Sequence, residues 1–112
     1  MITTKTLKNA ARAIECDLWT DPATKANYLV KDGAILRRWE PVDSSGDALD
    51  MAVRLHMTII MLTGECEVLF DISGQDASVV QDDGEEGELH DDEITRLAIV
   101  RAAAQVGESL CQ

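Results

Sequence analysis

The fold is decided by residues 58–81, which read TIIMLTGECEVLFDISGQDASVVQ. Two turn sequences, each containing glycine, divide this stretch into three short β segments: 58–62, 66–72 and 77–81. Within the middle segment Cys66, Val68 and Phe70 recur at every second position, the period that places side chains on one face of a strand. The stretch therefore predicts a meander of three neighbouring strands.

The sequence around the meander predicts three helices and a hairpin. Asp32-Gly33 lies between two apolar runs and is typical of a two-residue hairpin turn. Ser44 has a side chain that caps helices, and an apolar stripe at helical spacing follows it. The predicted elements besides the meander are a helix at 4–15, strands at 27–30 and 34–39, a helix from the cap to Met57, and a helix at 91–106. Their order is αββαβββα without internal repeats, which indicates an α+β fold in which helices pack on a small antiparallel or mixed sheet.

The length of the chain indicates one domain spanning residues 1–112, because 112 residues lie within the usual single-domain range. Every apolar run is far shorter than the roughly 20 residues that a membrane-spanning helix needs. The first residues, MITTK, lack the charged segment, apolar segment and cleavage site of a secretory signal. We therefore expect a cytoplasmic protein without membrane contact.

Negative charge is concentrated late in the chain. Twenty-one acidic against ten basic side chains give a net charge of -11, which disfavours direct contact with nucleic acid or with an anionic membrane. Eight of the twelve residues from 82 to 93 are carboxylates, and we predict an acidic loop there. Such runs form solvated loops, and acids in the first turn of a helix interact favourably with its dipole.

The alternative interpretation of the acidic loop is a surface that binds a basic site on another protein. Asp43, Asp47 and Asp50 would add charge to this surface if they lie on the same side. The candidate partner-binding residues are Asp82, Asp83, Glu85, Glu86 and Glu88.

Residues suited to catalysis are sparse. The two histidines, His56 and His90, have neither a nucleophile nor a pair of carboxylates in a context that would activate them. Cys16, Cys66 and Cys111 are widely spaced and are expected to be free thiols, the first two buried. The acidic loop lacks the alternating ligands of a calcium loop, and no glycine motif for phosphate binding is present. We therefore expect no enzyme and no bound metal or cofactor.

Three further stretches join the meander in a pattern that covers nearly the whole chain: AIECDLW at 13–19, WEPVDSSGDAL at 39–49 and ITRLAIVRAA at 94–103. This pattern resembles the phage ABA sandwich domain, a family of small bacteriophage and prophage proteins of unknown function. The resemblance implies a small sheet with helices packed on it, acting in the bacterial cytoplasm, and it implies no catalytic residues. Trp39 and Pro41 are expected to be structural and packed under the second helix.

Taken with this resemblance, which implies a phage or prophage protein, the small size, the lack of catalytic motifs and the negative charge predict a non-enzymatic accessory protein that binds a basic surface of a host protein. An inhibitor of a host defence or nucleic-acid-handling system is one form of this function. The alternative is a structural or assembly component of a phage that self-associates through an exposed sheet face or edge strand.

Overall fold

The computed structural model describes residues 2–84 and 89–110. Within these residues the elements follow one another as αβββαβββα, which confirms the predicted α+β fold. The helices are α1 (Thr4–Ala13), α2 (Ser45–Arg54) and α3 (Asp91–Ser109), and the strands are β1 (Asp17–Thr20), β2 (Asn27–Lys31), β3 (Ala34–Arg38), β4 (Thr58–Leu62), β5 (Glu65–Ile72) and β6 (Gln75–Asp82). Strand β1 is additional to the predicted elements, because its four residues are too few to establish a periodicity.

The strands form two antiparallel sheets. Sheet A has the order β1-β2-β3, and sheet B, the predicted meander, has the order β4-β5-β6. The turn Asp32-Gly33 joins β2 to β3, and both residues have positive φ (53° and 80°), as a type I′ hairpin turn requires. In sheet B, Cys66, Val68 and Phe70 are all buried, so the predicted alternation is confirmed.

Helix α3 lies at the centre of the fold. It packs against α1, α2, β5 and β6, so it is buried around much of its circumference instead of along one stripe. Small residues allow α1 and α3 to approach closely: Ala10, Ala11 and Ala103 are fully buried, and a Cβ on Gly107 would overlap the main-chain carbonyl of Asn9. The last helix, predicted to end at residue 106, continues through Gly107 to Ser109. None of the described helices combines the length and the apolarity that crossing a membrane requires.

The link between sheet A and α2 is buried. Trp39 and Pro41 are both fully buried, as expected for structural residues, and Trp39 belongs to the same core cluster as Met51 of α2. The Trp39 main-chain N–H donates to Asn27 O at 2.8 Å, which extends the pairing of β2 and β3. The indole Nε1 of Trp39 is also buried, and it has no hydrogen-bond partner among the described residues.

The chain up to residue 84 consists of two αβββ units related by a shift of 41 positions. The units share a helix cap (Thr3 and Ser44), a left-handed residue after the helix (Glu15 and His56), the first residue of the following strand (Asp17 and Thr58) and a hairpin turn (Asp32-Gly33 and Ser73-Gly74). In both units the residue after the left-handed one donates its N–H back into the helix, from Cys16 to Ala11 O and from Met57 to Ala52 O, at 3.0 Å each. The prediction of no internal repeats was wrong, because equivalent positions share backbone conformation and seldom share residue type.

Candidate functional site

The predicted acidic loop begins inside sheet B. Asp82 is the exposed last residue of β6, and its Oδ1 accepts a hydrogen bond from Gly84 N at 3.0 Å. Asp83 is half-buried, and its main-chain oxygen accepts from Leu89 N at 3.2 Å, which holds together the two ends of the segment between them. The other three candidates lie outside the described residues: Glu85, Glu86 and Glu88.

Carboxylates from two other elements lie beside Asp82 and Asp83. Glu65, the first residue of β5, is paired directly with Asp82 across sheet B. Gly64, in the turn between β4 and β5, donates its N–H to Asp91 Oδ1 at 3.2 Å and lies against the Asp83 carboxylate. Glu65, Asp82, Asp83 and Asp91 therefore converge at one end of sheet B, and we call these four residues the acidic end.

The acidic end has no ion-pair partner within the described part of the chain. The ion pairs there involve other acids: Asp47 with Arg37 (2.6 Å), Asp50 with Arg54 (3.1 Å) and Arg37 (3.5 Å), Glu40 with Arg38 (3.6 Å) and Asp92 with Arg96 (3.1 Å). Asp47 and Asp50, considered above as additional charges, are thus matched by arginines. The hydrogen bond from Arg96 lowers the pKa of Asp92, which keeps that carboxylate ionised beside the acidic end.

An apolar groove adjoins the acidic end. It lies between α2 and β4 over α3 and has a volume of about 420 Å³. Leu49 of α2 and Met61 of β4 stand on its two sides and are 56% and 70% exposed. Ile99 of α3 also lines the groove, together with Asp91 and with the ion pair of Asp92 and Arg96. The groove thus combines exposed apolar side chains with an acidic border.

A larger cavity of about 560 Å³ has a different character. It lies between α1, β6 and α3 and is bordered by Lys5 and Arg101, and it includes none of the residues of the acidic end. Glu108 also lines this cavity, so charges of both signs lie along it.

The histidines and cysteines form no catalytic arrangement in the described residues. His90 is the N-cap residue of α3, and His56 lies beyond the end of α2. Cys16 and Cys66 are buried free thiols as predicted, while Cys111 lies outside the described residues. Burial raises the pKa of the Cys66 thiol, so this group is a poor nucleophile near neutral pH. In residues 2–84 and 89–110 no group of three or more His, Cys, Asp or Glu side chains is placed to hold a metal ion.

Asp82 and Asp83 were predicted from the sequence as partner-binding residues, whereas Glu65 and the groove were not predicted. The signal for Glu65 was present, because Glu65 and Asp82 are equally distant from the Ser73-Gly74 turn and must therefore pair in a regular hairpin. The groove is a gap between elements and has no counterpart in a local pattern. Comparisons of the chain with protein-family models, with curated proteins and with solved structures give no match.

Proposed function

We propose that the protein is a non-enzymatic accessory protein of phage or prophage type that binds a basic surface of a host protein through its acidic end. The observation that supports this best is the convergence of Glu65, Asp82 and Asp83 with Asp91, from three parts of the chain and without a cation among the described residues. Glu65 and Asp82 lie directly across sheet B, as Asp71 and Asp76 do at its other end. The further approach of Asp83 and Asp91 distinguishes the acidic end from that second pair.

The proposed mechanism is electrostatic attraction followed by occupation of the basic surface. A net charge of -11 in 112 residues creates a negative field that steers a basic partner toward the acidic end. Host proteins that handle nucleic acid carry basic surfaces for phosphate, so they are the class of target we infer. Because exposed charges are screened over about 8 Å at physiological ionic strength, binding of this kind weakens as salt is added.

The first prediction is that neutralising the predicted acidic residues abolishes capture of the host partner. The test variant carries Asp82→Asn, Asp83→Asn, Glu85→Gln, Glu86→Gln and Glu88→Gln. We expect the wild-type protein to capture a partner from bacterial lysate at low salt and to release it at high salt, and the variant to capture none. Unchanged thermal unfolding of the variant would show that the fold is intact.

A matched variant removes the same number of charges elsewhere: Glu15→Gln, Asp17→Asn, Asp32→Asn, Asp71→Asn and Asp76→Asn. All five residues are exposed and none belongs to an ion pair of the described chain. We expect this variant to capture the partner nearly as well as the wild-type protein. Equal loss of binding in both variants would indicate an effect of net charge alone and would contradict a specific acidic surface.

The second candidate function is a phage assembly component that self-associates through the outer face of sheet B. Four apolar side chains on the outer face of sheet B are exposed: Ile60 (37%), Leu62 (55%), Leu69 (39%) and Val80 (55%). Glu65, Glu67 and Asp82 lie among them, so two copies would bring like charges together. Light scattering at high protein concentration separates the two candidates, because a monomer under these conditions contradicts self-association.

A further inference from the structure

We propose that the free edge of β4 accepts an extended segment of the basic partner as an added strand of sheet B, with apolar side chains of that segment entering the groove between α2 and β4. This inference rests on the proposed function, since it takes the partner to be basic. It adds the conformation of the bound segment, the pattern of its side chains and the place where its charges lie.

Among the four edge strands of the two described sheets, β4 is the one without a charged residue. Proteins commonly place charged residues on edge strands, because these residues prevent other strands from pairing with the edge. The other three edges carry such residues: Asp17 in β1, Arg37 and Arg38 in β3, and Asp76 and Asp82 in β6. Strand β4, Thr58–Leu62, has none. In the two αβββ units the charged Asp17 of β1 corresponds to the uncharged Thr58 of β4.

The backbone of β4 has hydrogen-bonding groups available for an added strand. β4 pairs with β5 on one side only, and in an antiparallel pair every second residue directs its N–H and C=O away from the partner. Leu62 and Glu65 close the two-residue turn and therefore exchange hydrogen bonds, which leaves Ile59 and Met61 facing the open side. Strand addition of this kind is a recurrent mode of peptide recognition.

The groove lies where the side chains of an added strand would point. Such a strand runs about 4.8 Å from β4, over the gap between β4 and α2. Every second side chain of the segment would then contact Leu49, Met61 and Ile99, which line that gap. In the first unit α1 packs against β1, whereas in the second unit close packing between α2 and β4 is lacking, and the groove lies in this gap.

The charges along this edge favour a basic segment over a second copy of the chain. At the Leu62 end the edge borders Glu65 and Asp91, and at the other end Thr58 lines a cavity together with Asp71 and Asp76. Carboxylates thus lie near both ends of the edge, and the bound segment is expected to carry Lys or Arg residues toward its ends. A second copy would present the uncharged Thr58–Leu62 strand to the acidic end and would add a further charge of -11.

The test is selection from a displayed library of random peptides on the order of ten residues, the upper length of a strand in globular proteins. Enriched peptides are expected to alternate apolar residues and to carry Lys or Arg toward their ends. Met61→Lys places a charge at the edge and is expected to weaken the binding of these peptides by about tenfold or more. Ile35→Lys in β3 is the matched control, because Ile35 is 57% exposed and lies in the other sheet, and it is expected to leave binding unchanged.

A second measurement does not depend on a variant that folds. A bound peptide is expected to slow hydrogen exchange at the main-chain N–H groups of Ile59 and Met61, and to leave exchange in sheet A unchanged. Enriched peptides without the alternation, no enriched peptide, or exchange unchanged at both residues would overturn the proposal. A dimer of the protein that Met61→Lys converts to a monomer would also overturn it, because the occupant would then be a second copy.

Failure of this inference can be told apart from failure of the proposed function. If Met61→Lys still captures the lysate partner and the variant neutralised at residues 82–88 does not, the acidic end binds the partner without strand addition. If both variants capture it, neither the proposed function nor this inference holds.

Discussion

The indole of Trp39 is fully buried, yet its N–H has no acceptor within the described residues. An unpaired buried donor costs about 1–3 kcal/mol, whereas the large apolar surface of a buried tryptophan stabilises the core. The two effects oppose each other in one side chain. We therefore expect the apolar volume that Trp39 fills between sheet A and α2 to contribute more to stability than the unpaired N–H costs.

The prediction is that Trp39→Phe lowers the free energy of unfolding by less than half as much as Trp39→Ala. The alanine variant leaves a cavity and is expected to cost about 3–5 kcal/mol. The phenylalanine variant keeps most of the apolar volume and removes the unpaired N–H. Urea unfolding monitored by far-ultraviolet circular dichroism measures both free energies of unfolding. Equal losses in the two variants would show that apolar volume is not the main contribution of Trp39.

Gly107 determines how closely α1 and α3 approach. A Cβ at this position would overlap the Asn9 carbonyl, which belongs to the backbone and cannot rotate away. We expect Gly107→Ala to lower the free energy of unfolding by about 2 kcal/mol, because overpacking outweighs the better helix propensity of alanine. Differential scanning calorimetry measures this loss.

The control for Gly107 is the same substitution in another helix. Gly46 lies in the first turn of α2, where an added Cβ would meet only Ser44 Oγ at 3.7 Å, an ordinary contact. Gly46→Ala is expected to be neutral or to stabilise the protein by up to about 1 kcal/mol. A loss of stability in this variant similar to that of Gly107→Ala would contradict the assignment of the effect to helix packing.

The ends of α1 and α2 use left-handed residues other than glycine. Glu15 and His56 have φ of 62° and 53°, a conformation that costs a residue with a side chain roughly 1–2 kcal/mol. We expect His56→Gly to raise the free energy of unfolding by about 0.5–1 kcal/mol, after the entropy that glycine loses on folding is subtracted. His56→Ala keeps a Cβ and should give no gain, so an equal rise in the melting temperatures of both variants would contradict this explanation.

Much of the fold could be predicted from short patterns. The Asp32-Gly33 turn, the Ser44 cap and the alternation through Val68 each depend on neighbouring residues alone, and the structure contains all three. Residues that are distant in the chain were harder to predict. Glu65 joins Asp82 only through the register of a hairpin, and the groove exists because α2 and β4 stay apart.

In the complete fold, α3 packs against α1, α2 and sheet B. The buried side chains of both units form one cluster with α3. Each αβββ unit leaves an apolar surface, and α3 fills the space between these surfaces. Leu49 and Met61, on the two sides of the groove, come from α2 and β4 of one unit, and α3 forms its floor. The shape of the groove therefore depends on the position of α3 as well as on that unit.

The two αβββ units also bear on the ancestry of the chain. A shift of 41 positions preserves the helix caps, the hairpin turns and the starts of two of the three strands, and tandem duplication of a short gene segment would leave this pattern. In a fused gene each copy diverges alone, so one strand can carry an acid at its edge while its counterpart carries threonine. Duplication of this kind lets one copy preserve the fold while the other acquires new contacts.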